Sequence, residues 1–201
     1  MEPKPAHTPQ CSLDTVLGTG HDYQLAAQGD LRVSTIMYTN RETESYMREA
    51  LKEATLALSE GNPPIGAVVV REGRIIARGR NRRQSNHFLR HAEIEAIFSM
   101  NAPGQSREAT TIYTTVEPCY LCFGAILAAR IGHIVFAAPD ALSGCRQIKE
   151  TGLYSRSRIF TLEGGILEHE SFTLLYGYSS EFCQLLFGTE FARHRELLPP
   201  G

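Results

Sequence analysis

Two short segments constrain this chain more than anything else in it. One is His91-Ala92-Glu93; the other is Pro118-Cys119-Tyr120-Leu121-Cys122, whose first cysteine lies 28 positions after the histidine. Apolar residues begin to recur at helical spacing just beyond each segment, so each reads as the start of a helix. Two cysteines three positions apart on a first turn can aim both sulfurs at one point. Thiolates are favoured there by the positive end of the helix dipole and by free backbone N–H groups. Pro118 costs nothing at a helix start, where its missing N–H would be unpaired anyway. Any fold this chain adopts must therefore bring two helix starts together.

The imidazole of His91 beside Cys119 and Cys122 makes three ligands for a zinc ion and leaves one tetrahedral position open, as in a catalytic zinc site. A water taken up there becomes nucleophilic near neutral pH. Glu93 follows two residues after His91, within reach of that water without ligating the metal, and is the candidate acid and base. A Cys-x-x-Cys pair also suits a redox centre or half of a four-ligand structural zinc site. The redox reading leaves His91-Ala92-Glu93 without a role. The structural reading needs a fourth ligand, for which Cys11, His87, His133, Cys145, His169 and Cys183 are isolated candidates.

The rest of the sequence is that of an ordinary folded domain. Of 201 residues, 42% are hydrophobic, enough to bury a core. The net charge of −2 advertises no polyanionic partner. Seven arginines nevertheless fall between positions 71 and 90: Arg71, Arg74, Arg78, Arg80, Arg82, Arg83 and Arg90. They suit either a solvated pair of strands or a basic rim for phosphate-bearing substrate or RNA. No apolar run is long enough to cross a bilayer, the N-terminus does not read as a secretory signal, and five cysteines make no disulfide framework. A cytoplasmic setting and no membrane partner are the expectation.

Residues 1–38, rich in Pro, Thr, Gln and Gly, read as a weakly ordered extension ahead of a domain spanning 39–201. Thr39 and Glu42 suit a capping box, and Tyr46, Met47, Ala50, Leu51, Ala54 and Ala57 continue a helix that Gly61 and Pro63 stop. Ile65 to Val70 and Arg74 to Arg80 read as a hairpin. Next come a helix from His91 to about Met100, a strand over Thr111 to Thr115, a helix from Pro118 or Cys119 to Arg130, and a strand over Ile131 to Ala137. Beyond Pro139, a short strand over Ile159 to Leu162 and one closing helix over Ser171 to Phe187 are expected. The plan is α/β, with helices on both faces of one sheet.

The two segments in this order resemble the signature of the cytidine deaminase superfamily. Pro64-Ile65-Gly66-Ala67-Val68, Asn81, His91-Ala92-Glu93-Ile94 and Thr115-Val116-Glu117-Pro118-Cys119 resemble the branch of tRNA adenosine, bacterial guanine and yeast-type cytosine deaminases. The resemblance covers residues 39 to about 145. It implies a three-layer α/β/α fold around a five-stranded mixed sheet, one zinc ion per chain and hydrolytic removal of an amino group from a nucleobase-like ring. It also implies that Asn81 and the backbone N–H of Ala92 bind the base, with Asp140 near the substrate. A homodimer is implied too, for which Gly124, Ala125, Ala128 and Ala129 on the cysteine-bearing helix would allow close packing; the same residues equally suit packing against the protein's own sheet.

Two departures bear on substrate. Where the tRNA and guanine enzymes carry Asp-Pro-Thr-Ala before the zinc histidine, this chain has His87-Phe88-Leu89-Arg90. Phe88 is thereby a candidate for stacking on a base. Gly165-Ile166-Leu167-Glu168 is similar to the tRNA enzymes, but Arg193 and Arg195 are the only basic residues after Arg158. The expectation is accordingly a deaminase of a free nucleobase or nucleoside, with adenosine in a tRNA anticodon loop as the alternative. A zinc-binding protein without turnover is the alternative of another class.

Overall fold

The computed structural model describes residues 40–84, 88–100, 109–150, 159 and 161–198. The expected extension over 1–38 and the Thr39 half of the capping box lie outside them. The elements are α1 (Asn40–Ser59), β1 (Gly66–Arg71), β2 (Arg74–Arg80), α2 (Ala92–Phe98), β3 (Thr110–Val116), α3 (Tyr120–Ala128), β4 (His133–Ala138), α4 (Arg146–Glu150), β5 (Thr161–Glu163), α5 (Glu168–Tyr178), α6 (Ser180–Phe187) and α7 (Phe191–Glu196). A single 3₁₀ turn, Gly188–Glu190, joins the last two.

The five strands form one mixed sheet in the order β2-β1-β3-β4-β5. β1 pairs antiparallel with both β2 and β3, whereas β3–β4 and β4–β5 are parallel. Strand side chains alternate between faces, and the cores follow that period. Ala67 and Val69 of β1 pack with Ala92, Ala96, Phe123 and Ile126 of α2 and α3. Val68 and Val70 pack with Met47 and Ala50 of α1. Both sheet faces are thus covered, and the three-layer α/β/α arrangement expected from the sequence is the one observed.

Pairing of Gly66 with Arg80, Ala67 with Thr114 and Val116 with Ala138 brings the C-terminal ends of β2, β3 and β4 to one edge of the sheet. α2 and α3 begin there. Gly79 lets α2 come that close, since a Cβ at this position would run into the Ala92 carbonyl and the Ala96 nitrogen.

The expected closing helix is a correction. Rather than one helix over Ser171 to Phe187, α5 ends at Tyr178, Ser179 is extended (φ −160°, ψ 122°), and α6 starts afresh. The Ser179 hydroxyl accepts from the Phe182 N–H at 3.1 Å, an N-cap that competes with continuing the helix. Apolar periodicity runs through the break, which is why pattern alone does not reveal it. The split lets α6 pack Cys183, Leu186 and Phe187 against Val116 and Ala138, at the ends of β3 and β4.

Candidate active site

His91 and Cys119 occupy equivalent places: each is the extended residue that caps its helix, at φ −74°, ψ 156° and φ −68°, ψ 169°. Neither side chain is used as a cap, so both are free to turn toward the gap between α2 and α3. Cys122, one turn into α3, joins them. His91 Nδ1 lies 3.4 Å from Cys122 Sγ and 3.6 Å from Cys119 Sγ. A tetrahedral zinc with ordinary Zn–N and Zn–S bonds holds such atoms about 3.6 Å apart, so the donor set fits the ion in kind and in spacing.

Among the described residues, His91, Cys119 and Cys122 form the one cluster with metal-binding spacing. The fourth-ligand candidates that can be described lie elsewhere. His133 bonds Thr161, Cys183 sits in the core under α6, Cys145 is buried in the core beneath the sheet, and His169 stacks on Phe172. Cys11 and His87 fall outside the described residues. All four described cysteines are free thiols.

Glu93 is 3% exposed. Its Oε1 accepts from Thr114 Oγ1 of β3 at 3.0 Å, and Oε2 lies 3.4 Å from Cys122 Sγ. The carboxylate is thus pinned beside the three donors without being one of them. Burial raises its pKa above the usual carboxylate range. The hydrogen bond from Cys122, then that with His91, lowers the Cys119 thiol to about 4, while Cys119's hydrogen bond and burial raise the Cys122 thiol. His91 is raised, chiefly by its bond to Cys119.

His91, Glu93 and Cys119 floor a cavity of about 140 Å³, also walled by Ile65, Asn81, Asp140, Phe182 and Leu186, with Cys122 behind Cys119. Asn81 Oδ1 accepts from the Arg83 N–H at 2.9 Å, which leaves its amide NH₂ for a ligand. Ala92 is fully buried at the first position of α2, where a backbone N–H has no intrahelical acceptor. Asp140 reaches the cavity, but its carboxylate is engaged in its own turn: Oδ1 accepts from the Leu142 and Ser143 N–H groups and Oδ2 from Ser143 Oγ. Phe88 stands outside the cavity, 79% exposed.

Sequence reasoning gave Glu117 no role, although it stands directly before Pro118. It is 2% exposed and accepts from the Asp140 N–H (3.2 Å), the Arg146 N–H (2.6 Å) and Arg146 Nε (2.9 Å). It therefore ties the loop after β4 to the cysteine helix. Gly144 is the matching piece, for a Cβ there would lie 2.5 Å from the Glu117 carboxyl carbon and the Asp140 carbonyl. An acidic residue directly before the Pro-Cys motif was the visible signal; its burial was not. Phe182 and Leu186 come from α6 and had no local signal.

The arginine cluster divides. Arg78 pairs with Glu49, Arg80 with Glu53 and Glu60, and Arg82 and Arg90 with Glu95. Arg71 Nε bonds Thr110. Most of the cluster thus fastens β2 and the loop after it to α1 and α2. Arg74 and Arg83 have no ion-pair partner among the described residues, and Arg83 alone of the seven lines the cavity.

Residues 40–138 match the family model of the cytidine and deoxycytidylate deaminase zinc-binding region. Over 110 residues, 53% of its length, the chain is 44% identical to a tRNA-specific adenosine deaminase of Streptococcus pyogenes serotype M18, covering 69% of that protein. It is likewise 44% identical over 107 residues to the Bacillus subtilis tRNA-specific adenosine deaminase, covering 66% of it. A chain solved in work on A-to-I editing by tRNA:A34 deaminases at the wobble position superposes with a TM-score of 0.55. It shares 32% identity, with 65% of this chain and 99% of that one covered.

Proposed function

Because this chain belongs to the cytidine and deoxycytidylate deaminase family and is a zinc-dependent hydrolytic deaminase, we propose that it converts adenosine to inosine in the anticodon loop of a tRNA. The observation that carries the substrate is the 44% identity to tRNA-specific adenosine deaminases over 110 and 107 residues. A small cavity agrees with it. About 140 Å³ lies below the ~300–1,000 Å³ of pockets that enclose a drug-sized ligand. Such a cavity admits a ring and leaves the rest of a larger substrate outside. An anticodon-loop base is easily unstacked and splayed into it.

The geometry supports the proposed roles. His91, Cys119 and Cys122 would hold the zinc, which would supply water activation at the cavity floor. Glu93, held by Thr114 and buried, takes one proton from water and delivers it to the ring nitrogen beside the reacting carbon. It then passes water's second proton to the departing amine. The exocyclic C–N bond breaks, ammonia leaves, and the oxygen of water becomes the ring carbonyl. The amide of Asn81 and the N–H of Ala92 orient the base. Asp140 acts through its turn, which shapes the wall.

A homodimer is part of this proposal. α3 leaves Tyr120, Leu121, Gly124 and Ala128 exposed, an apolar, small-residue face at helical spacing, while Ala129 on the other side packs into the protein's own core. Among the described residues no helix is long and apolar enough to cross a membrane. A free nucleobase or nucleoside is the second reading, favoured by the pairing of most of the arginine cluster. Ammonia release from zinc-loaded protein separates the two, measured on free bases, nucleosides and an anticodon stem-loop, with Glu93→Gln as control. Turnover of the stem-loop in preference to adenosine is expected. Turnover of a free base or nucleoside with an inert stem-loop would overturn the RNA reading.

A further inference from the structure

A groove of about 730 Å³ opens beside the active-site cavity and shares Pro63, Arg83 and Phe182 with it. Phe88 and Tyr178, the last residue of α5, also line it. We propose that this groove binds the nucleotide adjoining the target adenosine, Phe88 stacking on its base and Arg83 taking the connecting phosphate. The inference rests on the RNA reading above and deepens it.

Three independent features of the groove converge. Phe88 is a large apolar side chain left 79% exposed. A single exposed aromatic needs no explanation in general, but this one stands at the mouth of a reactive cavity. Arg83 is the second feature. Its guanidinium lies 5.9 Å from the Phe88 ring centroid, at the outer range of a cation–π contact, and among the described residues it has no carboxylate partner, whereas Arg78, Arg80, Arg82 and Arg90 each do. An unspent cation on an aromatic shelf matches a phosphate joined to a base. Rigidity is the third. Gln84 Nε2 donates to the Tyr178 hydroxyl at 2.8 Å, and the Gln84 N–H donates to Asn62 Oδ1 at 3.0 Å. The loop that carries Arg83 is thereby fastened to two walls. The cavity takes one ring; the groove, continuous with it, has room for the next nucleotide.

The test uses the full zinc-loaded chain with Glu93→Gln in place, so that substrate persists. The probe is a short single-stranded oligoribonucleotide with 2-aminopurine on the 5′ or the 3′ side of the target adenosine. Stacking on Phe88 quenches the probe's fluorescence on one of the two sides. Phe88→Ala is expected to remove that quench and weaken binding about 10-fold, the size of one base–aromatic stack. Phe88→Trp should restore both and Phe88→Leu neither. Arg83→Met should flatten the dependence of log affinity on log salt by about 0.7, the contribution of one phosphate on a single strand. Zinc content and the unfolding midpoint of each variant show that the fold is kept. If the probe binds but Phe88→Ala, Phe88→Leu and Arg83→Met change neither its quench, its affinity nor its salt dependence, the groove assignment falls and the RNA reading stands. If no RNA binds at any salt concentration, both fall.

Discussion

At the floor of the site, the His91, Cys119 and Cys122 side chains and Glu93 come from two stretches of three and four residues, each at a helix start. At the rim, Asp140, Phe182, Leu186 and Arg83 arrive from separate loops and from a helix more than forty positions beyond the cysteines. The floor is buried and over-determined: Thr114 pins Glu93, and Gly79 sets the depth of α2. The rim is assembled from residues far apart in the chain, each held by contacts of its own, such as the Ser179 cap on α6 and the Asp140 turn. Chemistry needs a fixed geometry and belongs on the jointly held floor. The choice of substrate can vary on the separately held rim without disturbing it.

The largest expected effects break the floor. Cys122→Ser, or prolonged chelation, should strip the zinc and abolish ammonia release, read by atomic emission alongside turnover. Glu93→Gln should keep the zinc and lower kcat by roughly 100- to 10,000-fold, the span of a positioned acid and base. Full activity in Glu93→Gln would remove Glu93 from the mechanism and leave the floor as a metal site alone.

The join between floor and rim comes next. Glu117→Ala leaves the Asp140 and Arg146 N–H groups without their acceptor, an omission that costs about 1–3 kcal/mol when buried. Gly144→Ala forces a methyl group against Glu117 and should cost about 1–3 kcal/mol by overpacking. Urea midpoints measure both. The two changes made together should cost less than their sum, because they damage one contact. Simple additivity would mean that Glu117 and Gly144 act separately and that the join is not the hinge between the two regions.

The same contrast governs what could be read from the sequence. The gathering of His91, Cys119 and Cys122 beside Glu93, the strands and the helix starts were legible because each depends on neighbours in the chain: helical spacing, alternation and cysteine spacing are local signals. The resemblance added Asn81 and Asp140, and the structure brings both to the cavity. Glu117 was in plain view, but its three donors come from beyond β4, where no spacing rule reaches. The break at Ser179 was hidden because the apolar pattern is continuous across it. Whether an arginine is spent on an ion pair depends on which carboxylate the fold sets opposite, so the cluster read as uniform although Arg83 stands apart.

A smaller effect sharpens the rim. Ser179→Ala removes the N-cap of α6 and should cost about 1 kcal/mol. It loosens the wall formed by Phe182 and Leu186 without touching the metal. The expected kinetic result is a rise in KM larger than the fall in kcat, with zinc content unchanged. Equal losses in kcat and zinc would show that α6 supports the floor as well.

The smallest effect tests the division among the arginines. Glu49 accepts hydrogen bonds from Lys52 and Arg78, which together hold its pKa below the ordinary value of 4.5. A carboxylate with a lowered folded pKa stabilises the protein above its unfolded pKa, and that contribution disappears as pH falls through the folded value. With both cations partly exposed, the pair is worth about 0–1 kcal/mol. Glu49→Gln should therefore lower the urea midpoint slightly at pH 7, and the gap from the unaltered protein should close as pH falls from 4.5 toward the folded value. The partner change, Arg78→Met, should leave the salt dependence of RNA binding as it was, because the Arg78 charge is already spent on α1. Arg83→Met should not. If Arg78→Met flattened that salt dependence as much as Arg83→Met does, the arginines would act as one basic rim. The distinction between a paired scaffold and a single cation at the mouth would then be lost.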